Sequence, residues 1–338
     1  MKVYGVALIG CGKMGSVHLE HIYCKENISV KCVCDDKLAS AELFKRKYNA
    51  ECAETDAEKC IKRQDVDIVI IATYPSSHTK LTELCFRYGK HVICEKPVAV
   101  NKEDEQKFLH LIENYPNCKL ISGHILRHNE TYKRVARMIK DGCIGHPIVM
   151  RIVQNHHTMN RDRYLRLIGE TSPLIDCGVH YMDVMQWFSG EKIESVSAIG
   201  TRIDSDVPKD KYDYGICTVR LDGGSIGYYE VGWSSSMSAS DVKEFVGPNG
   251  RIRILLQNNR VFNQEEGDLI EYYKYPEKEY VHINVDAERR PTDKQLDFLI
   301  DMIEKDTEPI PSIKEVCEGL DAVFEADRQI RERIGGLR

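Results

Sequence analysis

No run of apolar residues in this 338-residue chain approaches the roughly 20 needed to span a bilayer. Blocks of lysine and arginine are also missing, so neither nucleic acid nor an anionic membrane is an expected partner. There is no CxxC pair. The thirteen cysteines are odd in number and scattered, which supports neither a disulfide framework nor a structural zinc site. Cys32, Cys34 and Cys94 fall in apolar strand-like runs and are expected to be reduced, acting as small hydrophobes. The first residues lead into a strand with no charged leader, so a cytoplasmic protein is expected. Repeats, low-complexity segments and long linkers are absent too. The length does allow two domains, each with a substantial core.

Residues 1–122 alternate apolar runs with helical patterns, which predicts βαβ units around a parallel sheet. Asp67–Ala72 is an unbroken apolar run of the kind a doubly covered strand needs. From residue 123 to 338 the pattern changes. Helices are expected near Glu130–Lys140 and Pro173–Phe188, followed by strands at Ser195–Arg202, Tyr212–Leu221, Ser225–Trp233 and Lys243–Val246 with no helix between them. Asp222-Gly223-Gly224 is a hairpin turn joining the middle two. These strands read as an antiparallel meander, and two helices near Lys294–Glu304 and Ile313–Arg333 close the chain. The fold class is therefore α/β: an N-terminal dinucleotide-binding domain of the Rossmann type, then an α+β domain with a large, mostly antiparallel open sheet.

The first domain opens with Gly10-Cys11-Gly12-Lys13-Met14-Gly15, between the apolar run Val6–Ile9 and a helical stretch from Ser16. In that context the glycines permit a tight turn and close backbone approach. The helix N-terminus then offers free N–H groups and a favourable dipole to a pyrophosphate. The next strand ends in Asp35, the carboxylate expected to accept hydrogen bonds from the adenosine ribose. A carboxylate there would repel a 2′-phosphate, which favours NAD over NADP. Two further strand ends, Thr73-Tyr74-Pro75 and Glu95-Lys96-Pro97, lie where open α/β sheets bind ligands.

Lys96 stands between an acid and a proline that restricts its backbone. Beside a cationic nicotinamide its pKa should fall, and it could donate to a substrate hydroxyl or carbonyl oxygen. Asp176, His180, Asp183 and Trp187 are spaced i, i+4, i+7 and i+11, so one helix face carries them all. That stripe suits a site where His180 moves a proton and an acid orients it. Asp176, His180 and the pair His156-His157 could gather a divalent ion, but there is no HExxH-type signature and no metal is expected.

These motifs, with Gly89–Pro97, Gly123…Arg127, Asp176–Asp183 and Glu308-Pro309-Ile310-Pro311, resemble the Gfo/Idh/MocA oxidoreductases (glucose-fructose oxidoreductase, inositol dehydrogenase, rhizopine catabolism). The resemblance runs nearly end to end. It implies a Lys-Asp-His catalytic set carried by Lys96, Asp176 and His180, and oligomerisation through the open sheet of the second domain. The positions implied to face the cofactor are Gly10, Gly12, Lys13, Met14, Gly15, Asp35, Thr73, Tyr74, Pro75, His78, Glu95 and Lys96. Substrate contacts are expected from Arg127, His157, Tyr164, Asp176, His180 and Asp183, with His124, His156 and Asn160 as further polar neighbours. Where members often carry a run of glycines, this chain has Gly169-Glu170-Thr171-Ser172-Pro173, so the shape of the substrate pocket is not carried over. The expected activity is hydride transfer between a secondary hydroxyl of a sugar, glycoside, sugar acid or cyclitol and NAD. Two other classes share the scaffold: enzymes that retain NAD and use transient oxidation, as unusual glycosidases do, and sugar- or redox-sensing regulators.

Overall fold

The computed structural model describes residues 2–155, 160–257 and 266–336. In chain order the first elements are β1 (Tyr4–Ile9), α1 (Lys13–Ile22), β2 (Ile28–Cys34), α2 (Leu38–Lys47), β3 (Cys52–Glu54) and α3 (Ala57–Ile61). Next come β4 (Ile68–Ile71), α4 (His78–Arg87), β5 (His91–Cys94), α5 (Lys102–Asn114) and β6 (Leu120–Ser122). The second half holds α6 (Glu130–Lys140), β7 (Val149–Asn155), α7 (Arg161–Glu170), α8 (Pro173–Ser189), β8 (Ile193–Thr201), β9 (Tyr214–Leu221) and β10 (Ile226–Gly232). It ends with β11 (Ser240–Gly247), β12 (Gly250–Leu255), β13 (Asp268–Lys274), β14 (Glu279–Val285), α9 (Thr292–Lys305) and α10 (Ile313–Gly336).

Two compact units result. One comprises Met1–Ile125 and Arg290–Val316, the other Leu126–Arg289 and Cys317–Arg338. The first holds a six-stranded parallel sheet in the order β3-β2-β1-β4-β5-β6. Its central strands β1 and β4 are buried at every position, which is why their sequences are apolar without alternation. A single division at residue 122 does not describe these units, because α9 returns to the first. Its Leu296, Leu299, Ile300 and Met302 join the core that contains Leu19 and Ile22 of α1. Gln295 also donates to the carbonyl of Ser122 at 3.0 Å. The amphipathic pattern of α9 reports a buried face without saying which core receives it.

The second unit is built on an eight-stranded sheet ordered β14-β13-β12-β11-β7-β10-β9-β8. β8, β9 and β10 form the expected meander, but the strand beyond β10 is β7, paired in parallel, and β11 lies on the far side of β7. The expected continuation of the meander into β11 is thus corrected. β7 was not anticipated because its sequence, Val-Met-Arg-Ile-Val-Gln-Asn, buries only alternate residues at its start and reads as mixed polarity. Helix α8 packs on the inner face, where Tyr181 meets Tyr229 with ring centroids 5.2 Å apart. Among the described residues no helix is long and apolar enough to cross a membrane.

One expectation about cysteine is overturned. Cys32 of β2 and Cys60 of α3 form a disulfide, with Cα atoms 5.6 Å apart. β2 and α3 pack directly, which brings together two residues 28 apart that no spacing rule pairs. Cys34 and Cys94 are free and buried, as expected.

Candidate active site

The glycine loop is shaped by what surrounds it. Gly10 has φ +103°, and a Cβ there would lie 2.5 Å from the carbonyl oxygen of Ala72 at the end of β4. Gly12, the N-cap of α1, is the opposite case. Nothing lies within 4 Å of its Cβ position, and no side chain caps the helix. The first amides of α1 therefore open onto unfilled space next to exposed Gly12 and Lys13. Burial pushes the neighbouring Cys11 thiol up to about 12, with Asp35 adding to the shift, so it is a packing group and not a nucleophile.

Asp35 stands at the end of β2, half-buried. Its Oδ2 accepts the amide of Cys11 at 3.0 Å and its Oδ1 that of Lys37 at 3.0 Å. The carboxylate thus braces the glycine loop. An open helix N-terminus beside a positioned carboxylate fits a dinucleotide.

Across the sheet, Thr73 Oγ1 and Ser77 Oγ lie 2.6 Å apart in the turn after β4, and Tyr74 is exposed. His78 is fully buried. Its Nδ1 faces the carbonyl of Pro97 at 2.9 Å and its Nε2 that of Thr73 at 3.2 Å. Its ring lies between the two turns, and a neutral imidazole, with a single N–H, donates to one of these two carbonyls. Glu95, likewise buried, pairs with His18 of α1 at 2.7 Å. Burial alone would raise the Glu95 carboxyl, but the His18 bond and the charges of His18 and Lys96 outweigh it and leave the group lowered. Lys96 is the one residue between Val92 and Ala99 that is not buried. Its peptide bond to Pro97 is cis. Gly123 lets β6 pass close by, since a Cβ there would lie 2.8 Å from the Lys96 amide nitrogen.

In the second unit, Ser172 caps α8 by accepting the amide of Ile175 at 3.2 Å, and Pro173 is the first helical residue. From Pro173 to His180 every residue is buried except Asp176 and His180, which are half-buried. The i, i+4 pair is thus the part of this helix start that reaches its surface. Asp183, one turn on, is buried and committed elsewhere. It receives Arg127 through two bonds, at 2.9 and 2.7 Å, and the Arg127 guanidinium also lies 4.6 Å from the centroid of Trp187. Two expected substrate contacts therefore satisfy each other.

Tyr164 is corrected as well. It lies on α7 with 2% exposure, packed on Trp233 at 5.2 Å between centroids, because the helical period turns it inward with Leu167 and Ile168. Asn160 caps α7 by accepting the amide of Arg163 at 3.1 Å. His124 is buried against Ser122. His156 and His157 lie outside the described residues. The role of Asp35 as a brace was missed, although a carboxylate at a βα junction is a recurrent acceptor for nearby loop amides.

A parallel sheet with an open, glycine-lined helix start defines a nucleotide-binding scaffold of the Rossmann type. Residues 4–124 match the oxidoreductase family with an NAD-binding Rossmann fold, GFO/IDH/MocA, and residues 132–253 match the GFO/IDH/MocA C-terminal domain. The chain belongs to this family of NAD-binding oxidoreductases. Myo-inositol 2-dehydrogenase of Thermotoga maritima is 25% identical over 274 residues, spanning 80% of this chain and 81% of that protein. Inositol 2-dehydrogenase of Rhizobium meliloti is 27% identical over 218 residues, 64% of each chain. The crystal structure of myo-inositol 2-dehydrogenase from Lactobacillus plantarum superposes with a TM-score of 0.83 at 18% identity, covering 98% of both chains. A mutant form of a 3-ketoreductase from Actinomadura kijaniata, solved with NADP and TDP-benzene, gives a TM-score of 0.81 at 17% identity, covering 98% of both chains. These two structures share the fold.

Proposed function

We propose that the protein is an NAD-dependent dehydrogenase acting on a secondary hydroxyl of a cyclitol, within the wider class of sugars and polyols. The observation that carries this reading is the α8 surface, where Asp176 and His180 alone escape burial over two turns. Polar groups held at the surface of an otherwise buried helix start suit proton transfer better than packing. The curated relatives support a cyclitol, since several are inositol 2-dehydrogenases.

Gly10, Gly12 and Asp35 would hold NAD, which would supply the hydride-accepting chemistry. His180 takes the hydroxyl proton, and Asp176 orients the imidazole or holds a neighbouring hydroxyl. Lys96 donates to a substrate oxygen and stabilises the charge that develops there. Lys96, Asp176 and His180 are the catalytic residues of this proposal. Asp35 favours NAD, because its carboxylate opposes a 2′-phosphate.

A homo-oligomer working in the cytoplasm is part of the same reading. Val149 and Ile226, register neighbours on β7 and β10, are both exposed, and Ile199 of β8 is exposed as well. Exposed apolar residues on adjacent strands suit a second copy of the chain.

The test is near-ultraviolet absorbance of the purified protein with NAD across inositol isomers, free hexoses, sugar acids and aryl glycosides, with Lys96→Ala as control. Growth with an inositol, lost in the variant, supports the proposal. Growth with hexoses alone overturns the cyclitol assignment. Glycoside cleavage without absorbance change overturns the dehydrogenase.

A further inference from the structure

Three sulfurs meet at the β3 edge of the parallel sheet. Cys32 and Cys60, joined as a disulfide, are both completely buried. Cys52 of β3 is the register partner of Cys32 and is only half-buried. Its Sγ lies 2.8 Å from Cys32 Sγ and 3.4 Å from the Lys31 carbonyl oxygen, and Nη1 of Arg63 donates to it at 3.4 Å. A buried disulfide cannot be reached by a thiol in solution. The half-buried thiol packed against one of its sulfurs can be.

We propose that Cys52 is a thiol–disulfide exchange site, through which the buried Cys32–Cys60 pair equilibrates with low-molecular-weight thiols and disulfides. In the internal step the Cys52 thiolate attacks Cys32 Sγ. The Cys32–Cys60 bond breaks, a Cys32–Cys52 bond forms, and the Cys60 sulfur leaves with the electron pair and takes up the proton that Cys52 gave up. Oxidation from the fully reduced cluster runs inward. A small disulfide RSSR reacts with Cys52 to give a mixed disulfide and one RSH. Cys32 then displaces the second RSH, and Cys60 attacks Cys32 to return Cys52 to the thiol. The sum is one RSSR and two buried thiols converted to one buried disulfide and two RSH.

Cys32 is positioned to be the shared sulfur, since it neighbours Cys52 across the strand pair and is already bonded to Cys60. The Arg63 guanidinium stabilises the Cys52 thiolate where it attacks or leaves, against the burial that raises the Cys52 thiol. Exchange moves the covalent tether of β2 from α3 to β3. β2 leads directly into Asp35, and the amide of Asp35 donates to the Glu54 carbonyl at the end of β3.

The experiment uses the full-length protein, reduced and then transferred to oxidised glutathione, with timed acid quenching, alkylation and non-reducing peptide mass spectrometry. The expected result is early glutathione adduct at Cys52, then Cys32–Cys52 and Cys32–Cys60 linkages. In Cys52→Ser the Cys32–Cys60 linkage should form at least about tenfold more slowly, since the half-buried thiol that relays to it is gone. Cys24→Ser, which removes an exposed thiol elsewhere, should leave the rate unchanged. Equal rates in wild type and Cys52→Ser overturn the proposal, as does a cluster that stays fully alkylated in oxidised glutathione. If Cys52→Ser does not fold, the order of adducts in the wild type decides: glutathione on Cys52 before any linkage supports it, and linkage without such an adduct overturns it.

Discussion

Arg127 and Asp183 grip each other through two parallel bonds, Nε to Oδ2 at 2.9 Å and Nη2 to Oδ1 at 2.7 Å, with side chains 9% and 3% exposed. Removing one partner leaves the other charge buried and uncompensated, at a cost of about 3–5 kcal/mol. Asp183→Ala should therefore lose stability on that order in urea denaturation, while the variant that remains folded keeps its KM for substrate. A large rise in KM with unchanged stability would return Asp183 to the substrate site.

Lys96→Ala and His180→Ala should each lower kcat by about 10²–10⁴-fold, the usual contribution of a positioned acid or base. The affinity for NAD, read by fluorescence quenching or calorimetry, should change little in His180→Ala, because His180 lies outside the unit that carries the glycine loop. Near-normal turnover in both variants would falsify the catalytic assignment.

The two glycines of the loop make opposite predictions. Gly10→Ala places a methyl 2.5 Å from a backbone oxygen at φ +103°, and strain of that kind costs about 1–3 kcal/mol before any rearrangement. Its thermal midpoint should drop. Gly12→Ala meets no protein atom within 4 Å, so its midpoint should match wild type while its affinity for NAD falls. Equal affinity in Gly12→Ala would show that the open space is not where the pyrophosphate lies.

The sequence made the glycine loop, Asp35 and the α8 stripe legible because each depends on local rules: turn conformation, strand ends and helical period. The remaining features depend on residues far apart in the chain. Asp183 shares the stripe with His180, yet only the arrival of Arg127, 56 residues earlier, turns it from a surface acid into half of a buried pair. Tyr164 reads as a substrate contact in the sequence, yet α7 turns it against Trp233. The return of α9 to the first unit, the insertion of β7 beside β10 and the Cys32–Cys60 disulfide are likewise set by packing of distant segments. Periodicity tells that a face is buried and is silent on its partner.

Asp35→Ala removes two jobs at once, the ribose acceptor and the brace on the amides of Cys11 and Lys37. Hydrogen bonds to charged groups are worth roughly 1.5–3 kcal/mol, so NAD should bind about 10- to 100-fold more weakly. NADP should lose less, because the repulsion of its 2′-phosphate goes with the carboxylate. Asp35→Asn keeps one acceptor oxygen and should fall between the two. An NAD to NADP preference that stays constant across all three proteins would remove Asp35 from cofactor selection.

His78 makes the fold sensitive to mild acid. Burial pulls its pKa below the ordinary histidine value, against the carbonyls of Pro97 and Thr73, which favour the charged ring. The folded protein therefore holds a neutral ring at a pH where the unfolded chain would take up a proton. Stability from this group is complete above the unfolded pKa of about 6.5 and is lost as pH falls from there towards the lowered folded value, with a slope of at most about 1.4 kcal/mol per pH unit. Urea denaturation between pH 7.5 and pH 5.5 should show this loss in the wild type. His78→Gln cannot titrate and should be less stable at pH 7.5, since it disturbs the packing and hydrogen bonding of a fully buried ring, but its stability should fall less steeply over the same range. Half-buried His91, also shifted down chiefly by burial, is present in both proteins and leaves a shared residual slope. Parallel curves for the two proteins would place the acid sensitivity elsewhere.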